Sequence, residues 1–146
     1  MFDTAVLGGV VYDGSGQPGF RADVYLSDGK IALLHRGSEK FQSRKTIDAI
    51  GMAVSPGFID MHSHDDLVLC KDRFNTPKVT QGVTTVTVGN CGMGAAVASR
   101  YSDEIYDYQT GVLGPIVTDA PRSFEKYLES VESSKPAVNV VPLVGH

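Results

Sequence analysis

Short apolar runs broken by glycine-rich and acidic turns fill roughly the first fifty positions, and β-branched runs spaced by helical periodicity fill the remainder. Residues 5–7 and 10–12 read as strand pieces around Gly8-Gly9, followed by the turn-rich stretch 13–19. The runs 22–26 and 31–34 flank Ser27-Asp28-Gly29-Lys30, and an Asp-Gly pair between two apolar runs is a strong hairpin signal. A third run lies at 45–49. These residues predict a small antiparallel sheet module with a boundary near Val54. Beyond Pro56-Gly57 the pattern becomes strands alternating with helices, as a parallel sheet with crossover helices requires. Residues 58–62 predict the first strand, 74–81 a helix around Pro77, and 83–88 a second, buried strand. Residues 94–118 show no clean period and read as a long loop with room for a short helix. Residues 123–131 place Phe124, Tyr127, Leu128 and Val131 on one helical face with Ser123 as N-cap. A third buried strand is predicted over 138–144, just before Gly145-His146.

Composition narrows the class. The 146 residues carry a formal charge of −4, with 42% hydrophobic and 8% aromatic positions, as expected of an ordinary soluble globular protein. Lysines and arginines are scattered and form no basic stripe, so nucleic acid and acidic membrane surfaces are not expected partners. No apolar run approaches the roughly twenty residues of a membrane span, and no charged leader with an apolar core opens the chain. A cytoplasmic enzyme, or a piece of one, is the expectation. Cys70 and Cys91 do not make a disulfide framework and are expected to be reduced.

The chemistry concentrates at two predicted strand ends. The run 58–62 ends in His62-Ser63-His64-Asp65-Asp66. On an extended strand, residues two apart face the same way about 6.6 Å apart, so both imidazoles can reach one metal ion. The second run stops at Gly89-Asn90-Cys91-Gly92, where flanking glycines let the backbone aim the sulfur. Imidazole and thiolate are ligands zinc accepts. His62, His64 and Cys91 are therefore the candidate metal ligands, and no catalytic acid or base is assigned. The plainer alternatives are two hydrogen-bonded histidines in a polar crevice and a small buried thiol. Cys70, after Leu67-Val68-Leu69, reads as packing. Asp65 and Asp66 either cap the next segment or hold a ligand histidine's second nitrogen. His146 either lines the pocket or does not, and His35 reads as solvated surface.

These motifs carry a resemblance. Asp13-Gly14-Ser15-Gly16, Arg21-Ala22-Asp23-Val24, Asp28-Gly29-Lys30-Ile31 and Pro56-Gly57-Phe58-Ile59-Asp60 are shared with many amidohydrolases. His62-Ser63-His64-Asp65-Asp66, Gln81-Gly82-Val83-Thr84-Thr85, Gly89-Asn90-Cys91-Gly92 and Pro142-Leu143-Val144-Gly145-His146 are sharper. Together they make the chain resemble the amino-terminal part of the N-acyl-D-amino-acid deacylases (D-aminoacylases) of the metal-dependent amidohydrolase superfamily. The resemblance implies an α/β fold: a small N-terminal β-sandwich portion over 1–54, then the first three β/α units of an incomplete (β/α)8 barrel over 55–146, with the active site at the strands' carboxyl ends. It implies zinc held by a cysteine matching Cys91, and a second, weaker metal position lined by the pair matching His62 and His64. It also implies two further histidines and a proton-shuttling aspartate on later strands. The implied reaction is hydrolysis of the amide of an N-acyl-D-amino acid, with a metal-acidified water attacking the carbonyl and a carboxylate passing its proton to the amine.

Two alternatives stay open: a truncated, non-catalytic metal-binding piece, and a cyclic-amide hydrolase of dihydroorotase or hydantoinase type. A barrel of this kind needs about 250 residues to close. The chain alone is accordingly expected to be inactive, and to self-associate or to need a complementary polypeptide.

Overall fold

The computed structural model describes residues 1–96, 101–114 and 121–144, and these form two compact units, Met1–Pro56 and Gly57–His146. In the first unit, β1 (Phe2–Val11) pairs antiparallel with β2 (Phe20–Ser27), which pairs antiparallel with β3 (Lys30–His35). The β2–β3 turn is the predicted Asp28-Gly29 pair, with φ of 52° and 71°, the double positive φ that a tight two-residue hairpin needs. The other edge of β1 pairs in parallel with β4 (Ser43–Asp48) and then with β5 (Ala53–Val54). The expected antiparallel module is thus corrected to a mixed five-stranded sheet. Hairpin signals are local and legible, whereas parallel pairing of residues about forty apart leaves no local mark.

The two pieces predicted around Gly8-Gly9 are one ten-residue strand with a bulge between Val6 and Gly9. Gly8 adopts φ 77° there, and its N–H donates to Asp23 Oδ1 at 2.8 Å. Asp23 is buried and also ion-paired with Lys40. Burial works against its charge, but the Lys40 ammonium and the Gly8 N–H hold its carboxyl below the usual range. Phe2, Tyr25, His35 and Phe41 form a ring cluster, with His35 edge-on to Phe41 at 5.1 Å. His35 is therefore half-buried rather than solvated, and its Nε2 has no partner among the described residues.

In the second unit, β6 (Phe58–Asp60), β7 (Val83–Val88) and β8 (Asn139–Pro142) form a parallel sheet in that order. The crossovers carry α1 (Thr76–Val79), α2 (Ser102–Leu113) and α3 (Phe124–Ser134). A parallel ladder puts all three carboxyl ends on one rim, which positions the site. β7 is central, and Val86 and Val88 are fully buried beside Leu67, Leu69, Ala95, Leu113, Tyr127, Val131 and Val138. Each such valine contributes about 1.5–3 kcal/mol relative to exposure.

Helix α1 is shorter than the 74–81 predicted. Pro77 suits a helix's first turn, and Asn75 before it takes a left-handed conformation, so the segment makes a single turn. Within the looplike stretch 94–118, α2 is a twelve-residue helix, longer than the short helix expected, and residues 97–100 and 115–118 lie outside the described residues. The buried face of α2 is Tyr106, Gln109 and Leu113, a helical spacing disguised by a buried glutamine and by Gly111. On α3, Ser123 Oγ accepts the Lys126 N–H at 3.2 Å, the predicted cap. Tyr127 and Val131 are buried as expected, whereas Leu128 is exposed and lines an apolar groove of about 390 Å³ with Pro136, Val138, Val140 and Pro142.

Candidate metal centre

Strand β6 ends at Asp60, so His62 and His64 lie past the strand rather than on it. The expected same-face strand geometry therefore does not orient them. A polar scaffold does. The Ser63 N–H donates to Thr87 O at 3.0 Å, tying the segment to β7. Asp60 Oδ1 accepts the His62 N–H at 3.1 Å. Ser63 Oγ donates to Asp65 Oδ2 at 2.6 Å and accepts the Asp65 N–H at 3.2 Å. Asn75, buried just before α1, donates from Nδ2 to Asp65 Oδ2 at 3.2 Å. Lys78 Nζ lies 2.5 Å from Asp60 Oδ2 and 3.5 Å from Asp65 Oδ2. The two imidazoles meet edge to face, centroids 5.4 Å apart at 70°.

Cys91 arrives from the next strand end. Beyond Val88 the chain turns through Gly89 (φ 81°), Cys91 (φ 61°, ψ 20°) and Gly92 (φ 69°). A left-handed cysteine is uncommon and is held only where the surroundings over-determine it. Here Asn90 does so: its Nδ2 donates to Thr87 O at 2.9 Å and to Ser63 O at 3.2 Å, joining both strand ends. A Cβ on Gly89 would sit 2.3 Å from Leu143 O. The residue must be glycine both for its φ and for the close approach of the chain beyond β8.

As a result, His62 Nε2 lies 3.2 Å from Cys91 Sγ. One ligand atom each from His62, His64 and Cys91 falls within 4.8 Å of the others. Donors on one tetrahedral zinc, bonded at about 2.0–2.3 Å, are about 3.3–3.8 Å apart, so small side-chain rotations close the set. His62 and Cys91 are exposed and His64 half-buried, leaving access from solvent. His64 Nδ1 is itself buried with no protein partner among the described residues, an orphan that a cation or a second donor would satisfy. The donors fit zinc.

The neighbouring acids behave differently from expectation. Neither bonds a histidine ring nitrogen among the described residues; Asp65 instead organises Ser63, Asn75 and Lys78. Asp66 is buried, and burial pushes its carboxyl up against the opposing backbone N–H groups of Asp66, Gly89 and Ala95. Its Oδ2 and the Tyr127 hydroxyl both lack a protein partner among the described residues, and both residues line a cavity of about 20 Å³. Cys70 packs against the core outside the cluster, its thiol pushed up by burial, and both cysteines are free. His146 lies outside the described residues. Sequence reasoning missed Lys78, Asn75 and Asn90. Only Asn90, adjoining Cys91, carried any signal.

No protein-family model matches the chain. Known proteins do. The D-aminoacylase of Alcaligenes xylosoxydans xylosoxydans is 36% identical over 153 residues, covering 99% of this chain and 29% of that protein. Among solved structures, the N-acyl-D-glutamate deacylase of Bordetella bronchiseptica, complexed with zinc and a phosphonate mimic of the tetrahedral intermediate, is similar with a TM-score of 0.85 at 36% identity. It aligns over 99% of this chain and 30% of that one. A D-aminoacylase described by a binuclear metal centre, with one-metal activation and second-metal attenuation, also gives a TM-score of 0.85. It is 40% identical over 100% of this chain and 30% of its own. The chain thus spans less than a third of the length of these relatives. Over 99–100% of its length, at 36–40% identity, the chain thus matches the amino-terminal part of N-acyl-D-amino-acid deacylases (D-aminoacylases).

Proposed function

We propose that this chain supplies the amino-terminal share of a zinc-dependent hydrolase that cleaves N-acyl-D-amino acids to a carboxylic acid and a D-amino acid. The observation that carries this reading is the convergence of His62, His64 and Cys91 from two adjacent strand ends to within 4.8 Å. In this reading those three residues hold zinc. The ion, when bound, supplies Lewis acidity and an acidified water for attack on an amide carbonyl. The chain's own contribution is to fix the donors. Ser63 and Asn90 lock the two strand ends together, and the left-handed turn at Cys91 aims its sulfur at His62.

The same similarity supports the finer architecture we propose: residues 1–54 as part of a β-sandwich and 55–146 as the first three β/α units of a (β/α)8 barrel. The parallel order β6-β7-β8, with the donors at its carboxyl rim, suits that assignment. The donor cluster contains no carboxylate among the described residues. The proton shuttle is therefore assigned to residues outside it, and a complementary polypeptide is a partner to test.

The test is zinc content after dialysis, with turnover of N-acetyl-D-amino acids in parallel. Cys91→Ala is expected to retain less zinc than His64→Ala, and both less than the unaltered chain. Equal retention in all three would remove the metal reading. Zinc bound with no turnover, even beside a candidate complementary chain, would favour a non-catalytic metal-binding role instead.

A further inference from the structure

We propose that Lys78 is a positioning residue for the metal centre, acting as an ionic staple across the two ends of the histidine segment. The inference rests on the metal reading above and extends it to a residue that touches none of the donors. Strand β6 stops at Asp60, so beyond the Ser63 N–H bond to Thr87 no regular ladder holds residues 61–65. Their geometry must come from side chains. Asp60 lies two residues before His62, and Asp65 lies one residue after His64. The ammonium of Lys78, reaching over from α1, contacts both carboxylates.

Each carboxylate is in turn bonded to the segment it flanks. The free oxygen of Asp60 accepts the His62 N–H. Asp65 Oδ2 takes hydrogen bonds from Ser63 Oγ and from the buried Asn75. Displacing the ammonium therefore acts on the backbone at His62 and on the Ser63 side chain through bonds already in place. The side chains of Lys78, Asp60 and Asp65 are only 20–25% exposed, so solvent screens them less than it would a surface pair. Without the cation, two carboxylates that share one ammonium would repel each other, and the segment would open between the imidazoles.

Partners that orient metal ligands typically change metal affinity by about 10–100-fold when removed, and the same range is expected here. The probe is Cd²⁺, titrated into the full chain and followed by the ultraviolet thiolate-to-cadmium charge-transfer band, which reports ligation by Cys91 directly. Cys91→Ala is the control that should abolish it. Lys78→Met is expected to weaken Cd²⁺ binding by about 10–100-fold with the circular dichroism spectrum retained. Lys78→Arg, which keeps the charge and reach, should restore it to within a few-fold of the unaltered chain. Asp60→Asn breaks the staple from its other end and should weaken binding similarly; it carries the test if Lys78→Met does not fold. Unchanged affinity in a folded Lys78→Met or in Asp60→Asn would overturn the proposal, as would failure of the arginine variant to restore binding. If the unaltered chain shows no band at all, the metal reading itself fails, and this inference falls with it.

Discussion

At the scale of single residues, the cost of placing polar groups decides what a substitution does. The Tyr127 ring sits in the core, yet its hydroxyl has no protein partner among the described residues, and burial with nearby carboxylates pushes its ionisation far up. Removing an unsatisfied hydroxyl relieves its desolvation. Tyr127→Phe is therefore expected to match or exceed the unaltered chain in stability by urea unfolding; a loss of about 1 kcal/mol or more would reveal a hydrogen bond worth that much. Asp23 is the opposite case. Its buried carboxylate is held below the ordinary value of 3.8 despite burial, by Lys40 and the Gly8 N–H. A carboxyl with a depressed folded-state pKa contributes stability that is present above 3.8 and lost as pH falls through the folded value. Unfolding followed over acid pH should show the advantage of the unaltered chain over Asp23→Asn shrinking in that window. A constant difference at all pH values would count against the assignment.

At the scale of elements, termini and turns matter more than their interiors. Ser123 caps α3 through the Lys126 N–H, and Ser123→Ala should cost about 1 kcal/mol. Gly89 is a harder constraint, since a side chain there meets both an unfavourable φ and the Leu143 carbonyl. Gly89→Ala is expected to destabilise by about 2–4 kcal/mol and to displace the Cys91 turn. A stability within 0.5 kcal/mol of the parent, about the ordinary scatter of surface changes, would mean the backbone yields there easily. Elements whose pattern is written locally were legible: the Asp28-Gly29 hairpin, β7 over residues 83–88, and α3 with its cap. Helix α2 was not, because its buried stripe is Tyr106, Gln109 and Leu113 rather than three aliphatics. Pattern reading weighs hydrophobicity, whereas burial of a glutamine is settled by what packs around it.

At the scale of the whole molecule, β6 and β8 are the outer strands of their sheet among the described residues. Phe58, Ile59, Val141, Leu143 and Val144 are exposed around them. Unpaired strand edges with apolar neighbours invite association. Light scattering on the purified chain should find concentration-dependent oligomers, and a strictly monomeric chain at high concentration would show that this edge is protected.

The donor triad marks where sequence stopped and folding took over. The candidate donors were legible at His62, His64 and Cys91, because residue type alone limits which atoms can bind a soft or borderline cation. Their approach was not, because it depends on parallel pairing between strands more than twenty residues apart and on bonds such as Asn90 to the Ser63 carbonyl. The strand argument for the histidine pair named side chains that do converge with Cys91, but by the wrong geometry, since both lie past β6 on a polar scaffold. Lys78, Asn75 and the left-handed Cys91 became meaningful only in three dimensions. Local propensity fixes which segments extend or coil, but whether a lysine in a crossover reaches two aspartates is decided by the register of the sheet beneath it.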